Sequence, residues 1–127
     1  MQYYNTKPIR TTNRNAREYV RNGVPFKNSN GQLFGRWETP TLFVVYSYGE
    51  HWPLFAWDGQ TNEWLENYDK YSVTTSRHRT YAHPLADTNQ MSRTMLKHIM
   101  TNRISEHWAS RRATALSEVQ TTLGLAA

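Results

Sequence analysis

The sequence predicts an α+β domain in which a small antiparallel β-meander of about four strands carries a short N-terminal helix and a C-terminal helical region. Three observations lead there. Residues 33 to 67 alternate apolar and polar positions between breaks at Thr39-Pro40, Gly49-Glu50 and Asp58-Gly59, which is how hairpin-linked strands read. Asn15-Ala16-Arg17-Glu18 has the form of a capping box, with Gly23 as its stop. Beyond residue 85, apolar residues recur at helical spacing.

Residues 1 to 14 show no periodicity and read as a flexible arm. Residues 15 to 84 form the expected core domain, opening with a helix over 15 to 22. Arg14, Arg17 and Arg21 share one of its faces, while Ala16, Tyr19 and Val20 lie towards the other. After a turn at Asn28-Ser29-Asn30-Gly31, Leu33 to Glu38 is the first strand. Thr41 to Tyr48 is apolar on both faces and is the expected central strand. His51 to Trp57 returns, with an edge or bulge at Pro53, where a ladder donor is missing. Glu63 to Asn67 closes the meander. Trp37, Trp52, Trp57 and Trp64 read first as core and cross-strand packing, with a base-stacking platform as the alternative.

Residues 85 to 127 form a C-terminal extension, with Asp87 as its expected cap. Met91, Met95, Leu96 and Ile99 share one helical face, and Ile104, Trp108, Ala115 and Val119 share another rotated away from it. One straight helix would not bury both, so the expectation is a break or change of partner near Thr101-Asn102. The second half would then pack on a second copy as a homodimer, with fraying from Leu123 onward.

A chain of 127 residues fits one domain, and 13% aromatics oppose disorder despite a mean hydropathy of −0.81. The lack of cysteine excludes disulfides and thiolate metal sites and suits a reducing cytoplasm. No apolar run approaches the roughly 18 residues of a membrane span, and the N-terminus lacks a signal peptide's apolar centre. The net charge of +5 is unevenly placed. Residues 1 to 36 hold seven basic residues against Glu18, residues 38 to 69 hold six acidic and no basic ones, and residues 70 to 127 hold eight basic against three acidic. Either basic flanks neutralise an acidic centre or the basic excess faces nucleic acid.

The run from Lys70 to Pro84, KYSVTTSRHRTYAHP, is the strongest candidate site. Lys70, Tyr71, Ser72, Thr74, Thr75, Ser76, Arg77, His78 and Arg79 together read as a phosphate cradle. A hydroxyl cap offers a helical turn's open N–H groups to an anion, and arginine adds paired donors. Arg14, Arg17 and Arg21 make a secondary basic contact. A catalytic reading would use His51, His78 and His83 for proton transfer. Binding is preferred over catalysis: neither a metal-ligand spacing nor a P-loop, GxGxxG or GxSxG occurs, and no cofactor is expected.

The segments NAREYVRNGVPFKNSN and FVVYSYGEHWPLFAWDGQTNEWLENYDKYSVTTSRHRTYAHP resemble a small domain of unknown function that recurs in bacteriophage genomes and prophages. The likeness covers about residues 10 to 84 and rests on YSYG, HWPL and DKYSVTTSRHR. It implies a phage protein in the cytoplasm of the bacterial host and carries over no activity or catalytic residues. The leading functional expectation is a phage accessory protein binding nucleic acid or a nucleotide through residues 70 to 83. The runner-up is an inhibitor of a host enzyme or defence protein, using the acidic aromatic meander. The third is a small metal-independent nuclease or phosphodiesterase.

Overall fold

The structure, a computed structural model, describes residues 3–124. Its centre is one sheet of seven strands whose spatial order follows the chain: β1 (Ile9–Arg10), β2 (Phe26–Lys27), β3 (Leu33–Thr39), β4 (Leu42–Ser47), β5 (Pro53–Asp58), β6 (Glu63–Asn67) and β7 (Thr88–Met91). The expected four-stranded meander is β3 to β6, all antiparallel. The sheet is larger because the parallel pair β1 and β2 extends one edge and β7, parallel to β6, extends the other. The register shift between Val45 and Tyr46, where Tyr46 faces Pro53, marks the irregularity expected there.

Parallel neighbours need a crossover, and each edge pair has one containing a helix. Between β1 and β2 runs a 3-10 turn at Asn13–Asn15 followed by α1 (Ala16–Arg21), and between β6 and β7 runs α2 (Val73–Ala82). Both crossovers step the same way across the sheet between strands of the same direction, so one handedness rule puts both helices on one face. Ala16 and Val20 of α1 and Ala82 of α2 accordingly share a core with Phe26, Phe43 and Phe55. The opposite face, with Leu42, Val44, Ala56 and Leu65, is covered by α3 (Arg93–Thr122) through Leu96 and Met100. The result is three layers, helices on both faces of a mixed sheet.

Three expectations need correction. The C-terminal helix does not break near Thr101-Asn102. It runs unbroken for 30 residues, packs on the sheet through its first half, and leaves it with every residue from Trp108 to Gly124 exposed. Asp87 is not its cap: Ser92 is, accepting the Met95 N–H at 3.1 Å, because residues 88 to 91 are drawn into the sheet as β7. Residues 9 and 10, within the stretch read as an arm, pair with β2. The ends of that arm and of the expected fraying, residues 1–2 and 125–127, lie outside the described residues.

Buried polar groups tie the layers together. Asp58, 1% exposed, receives Arg103 of α3 through Nε at 3.2 and 3.1 Å to its two oxygens, and a further Arg103 nitrogen lies 3.1 Å away. Arg17 of α1 donates to the carbonyls of Thr80 and His83, both at 2.7 Å, closing the C-terminal end of α2. Glu66 accepts the Thr88 hydroxyl at 2.6 Å, with Arg79 Nε 3.9 Å and His83 Nε2 3.7 Å from its oxygens.

Candidate functional site

Residues 73 to 82 are helical, so successive side chains of the candidate run diverge by about 100°. Arg77 is exposed. His78 faces inward and is buried, and Arg79 turns towards Glu66 while donating to the Asp69 carbonyl at 2.8 Å. Arg77, His78 and Arg79 therefore do not converge on one surface. The hydroxyls are largely engaged within the helix. Ser72 Oγ accepts the Thr75 N–H at 3.1 Å and donates to Thr75 Oγ1, Ser76 Oγ donates to the Ser72 carbonyl, and Thr75 is buried. Tyr71 stacks on Trp52 with ring centroids 4.6 Å apart. Lys70, Tyr71, Ser72, Thr74, Ser76 and Arg77 are exposed.

Beneath α2 lies a polar chain that sequence reasoning did not connect. Ser47, the last residue of β4 and fully buried, is 3.3 Å from Thr75 Oγ1 and 2.8 Å from His78 Nδ1. With Ser72 donating to Thr75, one direction satisfies every member: Thr75 donates to Ser47 and Ser47 to Nδ1. That leaves the His78 proton on Nε2. Burial pushes the His78 imidazole below its ordinary value, so the ring is held neutral. The three histidines face different neighbours: His78 packs against Tyr48, His51 against Tyr71 and His83 against Phe55. Among the described residues, no group of three His, Asp or Glu side chains is placed to hold a metal ion.

At the other end of the same strands, aromatic residues form a row across the sheet. Trp37 of β3 pairs with Phe43 of β4, Phe43 with Trp57 of β5, and Trp57 with Trp64 of β6. Register alone puts all four side chains on the α1/α2 face. The indoles of Trp57 and Trp64 lie 5.6 Å apart at 55°, and Trp37 meets Phe43 edge-on at 5.1 Å. Phe43 is buried, but Trp37, Trp57 and Trp64 stay partly open. Three adjoining depressions, of about 290, 420 and 230 Å³, all have Trp57 in their walls.

The first depression is the most aromatic, with Trp37, Phe43, Trp57, Trp64 and Tyr3, and the end of α1 brings Arg21 and Asn22 to it. Gly23 makes this approach possible. Its φ of +64° suits glycine, its carbonyl accepts the Trp37 indole N–H at 2.8 Å, and a Cβ there would sit 2.9 Å from the Trp37 ring. The second depression has Glu63 and Asp87 in its wall instead. Phe43 to Ser47 spans about 13 Å of strand at roughly 3.3 Å per residue, so the aromatic floor and the residue-70 run sit at opposite ends of β4.

The three charge blocks resolve accordingly. Glu38 and Glu50 pair with Arg36, Asp58 with Arg103, and Glu66 faces Arg79, so much of the acidic centre is neutralised internally. Burial, with the Glu38 carboxylate beside it, pushes the Tyr46 phenol far above its ordinary value. Of the secondary basic contacts, Arg17 is committed to the end of α2, whereas Arg14 and Arg21 are exposed and form no ion pair among the described residues. The sequence signal for this site was present in the paired tryptophans. What it lacked was the position of α1, which stops short of covering them.

No helix among the described residues is long and apolar enough to cross a membrane. No protein-family model, curated protein or solved structure matches this chain.

Proposed function

We propose that this chain is a bacteriophage accessory protein that binds nucleic acid or a nucleotide by an unpaired base, seated on the Trp37–Trp57–Trp64 floor with its phosphate on Arg21. The phage setting rests on the sequence resemblance. The observation that carries the binding reading is an aromatic row left open on a sheet face, with an unpaired arginine at its edge. Aromatic faces stack on any base and contribute about 1 to 3 kcal/mol for each one stacked. A depression of about 290 Å³ is at the small end of ligand sites, the scale of one base. Arg14, exposed in the turn that precedes α1, adds a second cation at the other end of that helix, whereas Glu63 and Asp87 repel phosphate on the far side. The path of a strand is thereby directed over α1. Internal pairing of the acidic block weighs against the meander as an acidic docking surface for a host enzyme.

Fluorescence anisotropy of a labelled single-stranded oligonucleotide at two ionic strengths tests this reading. Trp57→Leu should weaken binding by about 1 to 3 kcal/mol. Arg21→Ala should weaken it and flatten its salt dependence by about one phosphate contact. Arg77→Ala should leave it unchanged. Loss of binding in Arg77→Ala alone would transfer the site to the N-terminal end of α2.

A further inference from the structure

The free half of α3 carries an apolar stripe with nothing on it. Trp108, Leu116, Val119 and Leu123 are 49, 59, 53 and 64% exposed, and at 100° per residue they fall, with Ala115, within one side of the helix. That side is rotated by roughly 140° from the Leu96–Met100 side that packs on the sheet, so the domain's own core cannot reach it. Fifteen residues of helix, about 22 Å, project in this way. An isolated helix of that length is marginal in water, and a stripe of this kind marks an interface.

The charges on the stripe select the occupant. Arg112 lies in its middle, Arg111 and Glu118 flank it, and none of the three forms an ion pair within the described chain. A parallel pair of these helices would place Arg112 against its own copy. An antiparallel pair with its two-fold axis beside Ala115 and Leu116 does the opposite. It sets Trp108 level with Leu123 of the second copy and Arg112 within one residue, about 1.5 Å, of the level of Glu118 of the second copy, so each apolar end covers the other. A polar residue in an apolar seam fixes register and orientation in just this way.

We propose that residues 108 to 123 form the interface of an antiparallel homodimer, held in register by Arg112 and Glu118 of opposite copies. A second copy supplies both the apolar cover and the two opposite charges at closely matching heights. The domain sheets then lie at the two ends of the helix pair, away from the seam.

The test is sedimentation equilibrium of the full chain from micromolar to submillimolar concentration. The expected mass is twice the 14.9 kDa of one chain, and Leu116→Lys, at an exposed position that leaves the folded core untouched, should return it to one chain. Arg112→Glu and Glu118→Arg should each weaken association roughly tenfold or more, and the two together should restore it. A chain that stays at 14.9 kDa throughout overturns the proposal, even if the helix is then found on vesicles or on another protein. A dimer indifferent to Leu116→Lys places the interface elsewhere. A dimer that Leu116→Lys breaks but the paired charge exchange fails to rescue overturns the antiparallel arrangement.

Discussion

Replacing His78 by glutamine should flatten the acid side of the protein's stability profile. In the folded chain the ring is 3% exposed, receives Ser47 Oγ at 2.8 Å on Nδ1, and lies against the Tyr48 ring, with no carboxylate among these contacts to favour its charged form. Burial lowers its pKa, so below the ordinary histidine value the unfolded chain binds a proton that the folded chain refuses. Unfolding then gains up to one proton, and stability falls as pH falls, at up to about 1.4 kcal/mol per pH unit, until the folded ring itself protonates. The term is absent well above about pH 6.5 and grows below it. Urea unfolding midpoints measured between about pH 8 and about pH 5 for wild type and His78→Gln isolate it, because the other four histidines are common to both chains. Ser47→Ala, which leaves Nδ1 buried without a donor, should cost about 1 to 3 kcal/mol at the alkaline end. Parallel wild-type and His78→Gln profiles would refute the neutral, buried histidine, and with it the Ser72–Thr75–Ser47–His78 chain.

Two further outcomes follow from the packing. Arg103→Ala leaves Asp58 buried without its cation and should destabilise by about 3 kcal/mol, at the low end for a buried pair because Arg103 is one-fifth exposed. At about 4 °C per kcal/mol for a chain of this length, thermal unfolding should fall by roughly 12 °C. Gly23→Ala should cost about 1 to 2 kcal/mol for its left-handed backbone and displace Trp37. Oligonucleotide affinity should therefore fall along with the unfolding midpoint, and a drop in stability alone would detach Trp37 from the site.

The central meander was legible because β3 to β6 are long enough for alternation to show and end in recognisable turn residues. Leu42, Val44 and Tyr46 sort to one face and Phe43 and Val45 to the other, as the pattern requires. The edges were not. Ile9–Arg10 and Phe26–Lys27 are too short to have a period, and Thr88–Met91 reads TNQM, which gains its place only by pairing with β6. The sequence of α2 has no apolar stripe, and its helix follows from the Ser72 cap and the crossover it must make. The division of α3 into two faces holds only in part: Leu96 and Ile99 pack on the sheet and Trp108 and Val119 do not, but Ile104 joins the sheet core and Met95 is exposed. The inference of a break failed because the helix continues straight past the edge of the sheet, which no local signal reveals.

The candidate site divides along the same line. The residues of the 70-to-79 run have phosphate-binding chemistry in common, but which of them point outward depends on helix phase and on Ser47 and Glu66, residues distant in sequence. Arg14 and Arg21 were visible as one basic face, and only the docking of α1 shows that Arg17 leaves it.

Whether a base seats on the aromatic floor is read from the five tryptophan indole N–H resonances. Titration with a single-stranded oligonucleotide, followed in a heteronuclear spectrum assigned by single Trp→Phe variants, should move the resonances of Trp37, Trp57 and Trp64. Trp52, beneath Tyr71 at the far end of the sheet, and Trp108, on the projecting helix, should stay in place. Movement centred on Trp52, or none at all, would rule out base binding on the Trp37–Trp57–Trp64 floor.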